Sequence, residues 1–204
     1  MTSSLHAAPS EQAAPLLAAE GYERRIQAAR GVRRLYRALE SRAVGRALRH
    51  AAGGRVLDCP CGTGRLDPLL RERFREVVGV DRSEAMLAIY RRGDRARTGE
   101  IGDAFDLPWA DGAFDWVVSH RMFHHLRSDE VRVALLRSFA RVVRQGVILY
   151  AFVETPIRRG RFGRKALPLE HARRLLGEAG LDLQGAYYAA WPLQPKVELV
   201  ARKR

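Results

Sequence analysis

Cysteine is scarce: Cys59 and Cys61 are the only two, and a single proline separates them. Thiols that close cannot staple a fold, and without a second pair they make a zinc site improbable. Lysine is almost as rare, with Lys165, Lys196 and Lys203 alone among 36 basic residues. Long apolar runs are missing as well, and none approaches the roughly 20 residues that cross a bilayer. The first twenty residues are rich in Ala, Pro and Ser and lack both the basic start and the compact apolar segment of a signal peptide. Residues 1–20 therefore read as a flexible tail, and the protein as cytoplasmic.

What is plentiful is arginine. A net charge of +13 suits an anionic partner such as nucleic acid or a membrane surface, although an arginine-heavy, Ala- and Gly-rich composition is equally what a biased genome produces. At 204 residues and 47% apolar content the chain suffices for one domain with a proper core. Residues 21–204 read as that domain, with a helical cap over 21–50 and an α/β core over 51–204.

Within the cap, Val32, Leu35, Tyr36, Leu39, Ala43, Ala47 and Leu48 recur at helical spacing, giving one amphipathic helix or two broken near Gly45. The core opens with Arg55 to Arg65, RVLDCPCGTGR. Two apolar residues end in Asp58, and a turn carrying Gly62 and Gly64 precedes a helical pattern expected over Leu66 to Phe74. Glycine allows a tight strand-to-helix turn and lets a ligand lie against the main chain. Strands are then expected at Val77 to Asp81, near Thr98 to Ile101, within Ala113 to His120 and at Gly146 to Val153. Helices are expected from Ser83 to Arg92, Val131 to Arg144 and Pro168 to Gly177. This alternation predicts a parallel sheet covered on both faces. Leu181 to Ala190 and Val197 to Ala201, joined through Trp191-Pro192, read as an antiparallel hairpin on its edge.

In such sheets the ligand sits beyond the carboxyl ends of the strands. Asp58, Asp81, Asp103, Ser119 and His120 all fall there. A carboxylate offers two acceptors and no donor, so Asp81 at the second strand suits the two hydroxyls of a ribose. Asp103 suits an exocyclic amine of adenine, with the Ala104 backbone on the ring edge.

The series VLDCPCGTG, VVGVDRSEAML and GDAFDLPWADGAFDWVVSHRMFHHL resembles the class I S-adenosylmethionine-dependent methyltransferases of the small, single-domain, type 11-like kind. The resemblance covers residues 50 to 155 closely. It implies a Rossmann-like, seven-stranded, mostly parallel sheet with an antiparallel C-terminal hairpin, and S-adenosyl-L-methionine as cofactor. It implies further that Asp58, Gly62 and Gly64 line the methionine part, that Asp81 with Arg82 and Met86 surrounds the ribose, that Asp103 and Ala104 hold adenine, and that Ser119 reaches the amino-acid end. Pro60 departs from the family's usual glycine and has no N–H to offer, so the turn is expected to close differently there. A nicotinamide-binding alternative needs G-x-G-x-x-G, but Asp67 stands at the third glycine position, where it would repel a pyrophosphate.

His120, His124 and His125 fall where the family's acceptor pocket lies and are candidates for a general base; packing against the next helix is their other reading. The segment Arg158 to Lys165, RRGRFGRK, suits an acidic substrate group, a nucleic-acid backbone or plain solvent. With no recognisable RNA-binding module, the expected partner is a small-molecule acceptor, acidic or lipid-linked. RNA methylation and catalytically silent cofactor binding remain the alternatives, and nothing in the residues fixes the oligomeric state.

Overall fold

The computed structural model describes residues 18–21, 24, 31–93, 97–157 and 166–204. In chain order the elements are α1 (Val32–Ala47), a 3-10 turn (Leu48–His50), β1 (Gly53–Asp58), α2 (Asp67–Arg71), β2 (Phe74–Asp81), α3 (Glu84–Arg92) and β3 (Thr98–Ile101). There follow β4 (Phe114–Ser119), a 3-10 turn (Phe123–His125), α4 (Asp129–Val142), β5 (Val143–Val153), β6 (Ala166–Leu167), α5 (Leu169–Glu178), β7 (Leu181–Tyr188) and β8 (Lys196–Lys203).

The sheet runs β3-β2-β1-β4-β5-β8-β7. Strands β1 to β5 are parallel, and β8 lies antiparallel to both β5 and β7. Eight strands are present where seven were expected, because the two-residue β6 pairs with the end of β5.

Alternation along each strand divides the core between the two faces. Leu57, Val78 and Val117 pack on one side with Leu135, Phe139 and Leu175 of α4 and α5. Their neighbours Val56, Val77 and Trp116 pack on the other with Val44, Ala47 and Leu48 around α1, and with Leu70 of α2. Strands apolar on both faces are what a doubly covered parallel sheet requires.

Several boundaries moved for tertiary reasons. The helix expected over Leu66 to Phe74 shrinks to five residues, because Phe74 already pairs with Gly53 in the sheet. The helix expected from Val131 starts at Asp129, capped by the Ser128 hydroxyl, and passes directly into β5 at Val143. Helix α1 runs through Gly45 without a break. Residues 18–21 are helical, Ala19 is buried and Glu20 pairs with Arg92 at 3.0 Å, so the expected tail does not extend to residue 20. Residues 1–17 lie outside the described residues. Among those described, no helix is long and apolar enough to cross a membrane.

The turn between β7 and β8 lies at the carboxyl edge of the parallel strands. Lys196 pairs with Phe152 near the end of β5, and the Val153 N–H donates to the Pro195 carbonyl at 2.7 Å.

Candidate cofactor and acceptor site

Strand order reverses between β1 and β4, and the turn after β1 occupies that opening. The Cys59 N–H donates to Val118 of β4 and the Cys61 N–H to Val80 of β2, at 3.0 and 2.8 Å. Pro60 stands between these two donors, so its missing N–H falls where the sheet does not call for one. The Cys59–Pro60 peptide is cis. Gly62 and Gly64 have φ of 54° and 85°, the left-handed region that glycine enters without strain. Asp81 pins the turn to the next strand: its Oδ2 accepts from the Gly62 N–H and its Oδ1 from the Ser83 N–H, both at 2.9 Å.

Beneath the turn lies the Tyr90 ring. A Cβ placed on Gly64, Gly79 or Gly99 would come within 2.7 to 2.8 Å of that ring. The tyrosine hydroxyl donates to Asp67 at 2.9 Å, and Arg71 and Arg97 hold the same carboxylate at 2.8 and 3.0 Å. Asp67 is therefore a buried structural acid. It borders neither cavity of the site, so the repulsion of a pyrophosphate expected from it does not operate as supposed. Burial and the nearby Asp58 and Asp81 carboxylates push the Cys59 and Cys61 thiols up, which leaves them protonated and unreactive.

Two adjoining cavities meet at Pro60, Asp81 and Arg121. The smaller, about 260 Å³, is bordered by Asp58, Gly62, Arg65, Met86 and His120. The larger, about 420 Å³, is bordered by Arg82, Asp103, Ala104, Phe105, Met122 and His125. In the smaller one Asp58 is 1% exposed and its Oδ1 has no hydrogen-bond partner among the described residues. Burial above all, then Asp67 and Asp81, holds its carboxyl well above the usual range, with Arg65 opposing.

Arg65 reaches across to His120, with a guanidinium nitrogen 3.2 Å from the imidazole Nδ1. The same guanidinium nitrogen lies 3.2 Å from Nε2 as well, and Nε2 in turn faces Glu198 at 3.2 Å. Burial first, then Arg65 and Arg121, pushes His120 well below its ordinary value, and burial pushes Glu198 well above its own. Each shift favours the neutral form of its group. Around them Glu40 of α1 accepts from Arg121 at 2.8 Å and from Lys196, with Arg65 at 3.6 Å.

His124 and His125 lie ring against ring with centroids 4.0 Å apart, and Tyr150 stands between His124 and His120, but the three histidines do not border one common cavity. His120 borders the smaller cavity and His125 the larger. His124 stacks on Phe152 of β5 with ring centroids 4.4 Å apart. Ser119 is fully buried beneath the site, its hydroxyl has no partner among the described residues, and neither it nor Gly64 borders the two cavities described above. Arg158 to Lys165 lies outside the described residues. Among those described, no group of three or more His, Cys, Asp or Glu could hold a metal ion. Sequence reading missed Arg65 and Arg121, whose only signal was their place directly after motif residues. It also missed Glu40, Lys196 and Glu198, which carry no local signal.

A doubly wound sheet with a glycine turn and acids at successive strand ends defines a nucleoside-cofactor domain. Residues 57–151 match the family model described as a methyltransferase domain. The chain is 40% identical over 114 residues to the demethylmenaquinone methyltransferase of Thermus thermophilus, covering 53% of this chain and 50% of that one. It is 32% identical over 91 residues to a tRNA (carboxymethyluridine(34)-5-O)-methyltransferase of Xenopus tropicalis, covering 45% and 14%. The chain thus spans half or less of the length of these relatives. Its fold is similar to the magnesium protoporphyrin IX methyltransferase of Synechocystis solved with S-adenosylhomocysteine, with TM-score 0.69, 17% identity, and 91% and 95% of the two chains covered. Residues 57–151 thus resemble a methyltransferase domain, and the fold is one shared with a methyltransferase solved with S-adenosylhomocysteine.

Proposed function

We propose that this protein transfers the methyl group of S-adenosylmethionine to a small, acidic, lipid-linked acceptor. The observation that carries the cofactor half is the pairing of Asp58 and Arg65 across the smaller cavity. A buried carboxylate oxygen without a partner suits an α-ammonium group, and a guanidinium beside it suits the α-carboxylate. Asp81 would hold the ribose hydroxyls, with Arg82 and Met86 nearby. Asp103 and Ala104, bordering the larger cavity, would hold adenine. Asp58 and Asp81 together on the smaller cavity disfavour a pyrophosphate, which supports the methyl donor over a nicotinamide.

When bound, the cofactor supplies an electrophilic methyl on a sulfonium, and displacement needs chiefly alignment and an electron-rich acceptor atom. His120 lies against Arg65 on the smaller cavity, so its part is to orient that guanidinium. Arg121 borders both cavities, and we place the acceptor beside it, where the two cavities meet. A cation there favours an acceptor that is already an anion, such as an acidic phenol or enol, over one needing a strong protein base. The quinone-related name of the Thermus thermophilus relative supports an acceptor of this kind with a lipid tail. The name of the Xenopus tropicalis relative and the net charge support RNA as the second reading.

Calorimetric titration with S-adenosylmethionine, S-adenosylhomocysteine, NADH and NADPH tests the cofactor, and binding of a nicotinamide alone would overturn the proposal. Transfer of a labelled methyl to a prenylated hydroxyarene, with tRNA as comparison, tests the acceptor. Transfer to tRNA alone sinks the small-molecule reading, and cofactor binding without any transfer leaves a silent binder.

A further inference from the structure

One face of α1 and its continuation carries Leu35, Leu39, Arg42, Arg46 and Arg49, spaced four and three residues apart so that they form a single stripe. From Leu39 onward this stripe borders a groove of about 850 Å³ whose opposite wall is Tyr187, Tyr188 and the turn through Trp191. Arg46 donates to the Tyr188 carbonyl and so ties helix to hairpin. Arg42 and Arg49 are exposed and have no carboxylate partner among the described residues. Large apolar side chains on the groove's lining, or near it in the chain, face solvent: Leu35, one turn before Leu39, is 56% exposed, and Trp191 and Leu193 are each 53% exposed.

We infer that this face is a docking surface for a bilayer carrying anionic headgroups. The inference rests on the lipid-linked acceptor reading for its purpose, but its geometry stands without it. Trp191 and Leu193 sit at a hairpin turn, where an indole and an aliphatic chain can enter the headgroup boundary without unfolding anything. The unpaired arginines beside them complement lipid phosphates, each strengthening attachment about fivefold near an anionic surface. Single-stranded RNA suits the face less well. Trp191 and Tyr188 already pack on each other with ring centroids 4.6 Å apart, Tyr187 packs on His50 at 5.2 Å, and the exposed Leu35 and Leu193 offer a base nothing to stack on.

Position gives the surface its use. The turn lies at the carboxyl edge of the parallel strands, the same edge as both cavities. From it the chain leads straight into Lys196, whose ammonium meets Glu40, and Glu40 meets Arg121 on the acceptor side. A protein resting on this turn would present its acceptor side to the membrane.

The test is co-sedimentation of the full chain with vesicles of phosphatidylcholine alone and of phosphatidylcholine mixed equally with phosphatidylglycerol. Wild type should bind the mixed vesicles at least tenfold more tightly, and the preference should fall with salt. Two variants locate the contact: Trp191→Ser with Leu193→Ser, and Arg42→Glu with Arg49→Glu. Each should lose at least fivefold in vesicle affinity while keeping its circular dichroism and its S-adenosylmethionine affinity. Undiminished vesicle binding in both folded variants would place the contact elsewhere and overturn the inference, as would wild-type protein that ignores both vesicles yet binds oligouridine. A wild type that binds mixed vesicles but not S-adenosylmethionine would overturn the cofactor reading and leave the surface standing.

Discussion

Glu40 Oε2 lies 2.8 Å from a guanidinium nitrogen of Arg121, tying the helix that precedes the sheet to the loop that follows its fourth strand. Arg121 has φ of 66°, unusual for a residue with a side chain, and it borders both cavities. The carboxylate is 2% exposed and also accepts from Lys196, with Arg65 at 3.6 Å, so one acid holds three cations in place.

Replacing that acid by its amide should be felt first in stability. Burial would raise the Glu40 carboxyl, but Lys196 and Arg121 outweigh it and hold it below its ordinary 4.5. A depressed acid contributes above its unfolded-state value and loses that contribution as pH falls through its folded-state value. Glu40→Gln should cost about 1–2 kcal/mol near neutrality, a modest figure because both cations reach solvent. The melting temperatures of the two proteins should converge in acid. A constant gap across the range would show that the charge is not what matters.

Asp81 works on both sides of the site. It accepts from Gly62 and Ser83 and stands on both cavities. Asp81→Asn keeps one acceptor oxygen and loses the charge, and S-adenosylmethionine should bind at least roughly tenfold more weakly. Calorimetry on a variant with unchanged circular dichroism would decide the point, and an unaltered dissociation constant would place the ribose elsewhere.

Asp58 predicts a pH dependence of a particular sign. Its carboxyl is held well above the ordinary 3.8, chiefly by burial. An ammonium group requires the carboxylate, so binding must expel a proton wherever free Asp58 is protonated. Affinity should rise with pH and level off once the free protein is ionised. Titration in two buffers of different ionisation enthalpy counts the proton. Asp58→Asn should abolish its release, and the same release from the amide variant would exonerate Asp58.

The hollow around Tyr90 can be tested by filling it. A methyl on Gly79 would meet the ring at 2.8 Å and the Cys61 sulfur at 3.0 Å. The ring is fully buried and anchored by its bond to Asp67, so it cannot swing aside. Gly79→Ala should cost about 1–3 kcal/mol in urea unfolding. A change within the error of the measurement would mean that the ring has room to move.

Much of this was legible from the chain. Strand ends announce themselves because a parallel strand is apolar throughout and stops at a polar residue, which marked Asp58, Asp81 and Ser119. The class of sheet followed from alternation and from the terminal hairpin. Helix lengths were harder, because Phe74 is as apolar as any helix residue and only its pairing with Gly53 makes it strand. Asp67 misled for a similar reason: its place in a motif suggested a ligand, while Tyr90, Arg71 and Arg97 absorb it. The cluster of Glu40, Arg121, Lys196 and Glu198 could not be read at all. Its members stand up to 158 positions apart and meet only once the helix has been laid across the finished sheet.

Strand β8 follows β7 in the chain yet lies between β7 and β5. A ribosome delivers residues in order, so β7 emerges with no edge to join and must wait until its successor slides in beside β5. That late arrival also carries Lys196 and Glu198, the partners of Glu40 and His120. During translation the glycine turn and its acids can be in place well before the acceptor side exists. An unfinished chain would then be a receptacle for cofactor that cannot yet act, and competence would be conferred by the strand that closes the sheet.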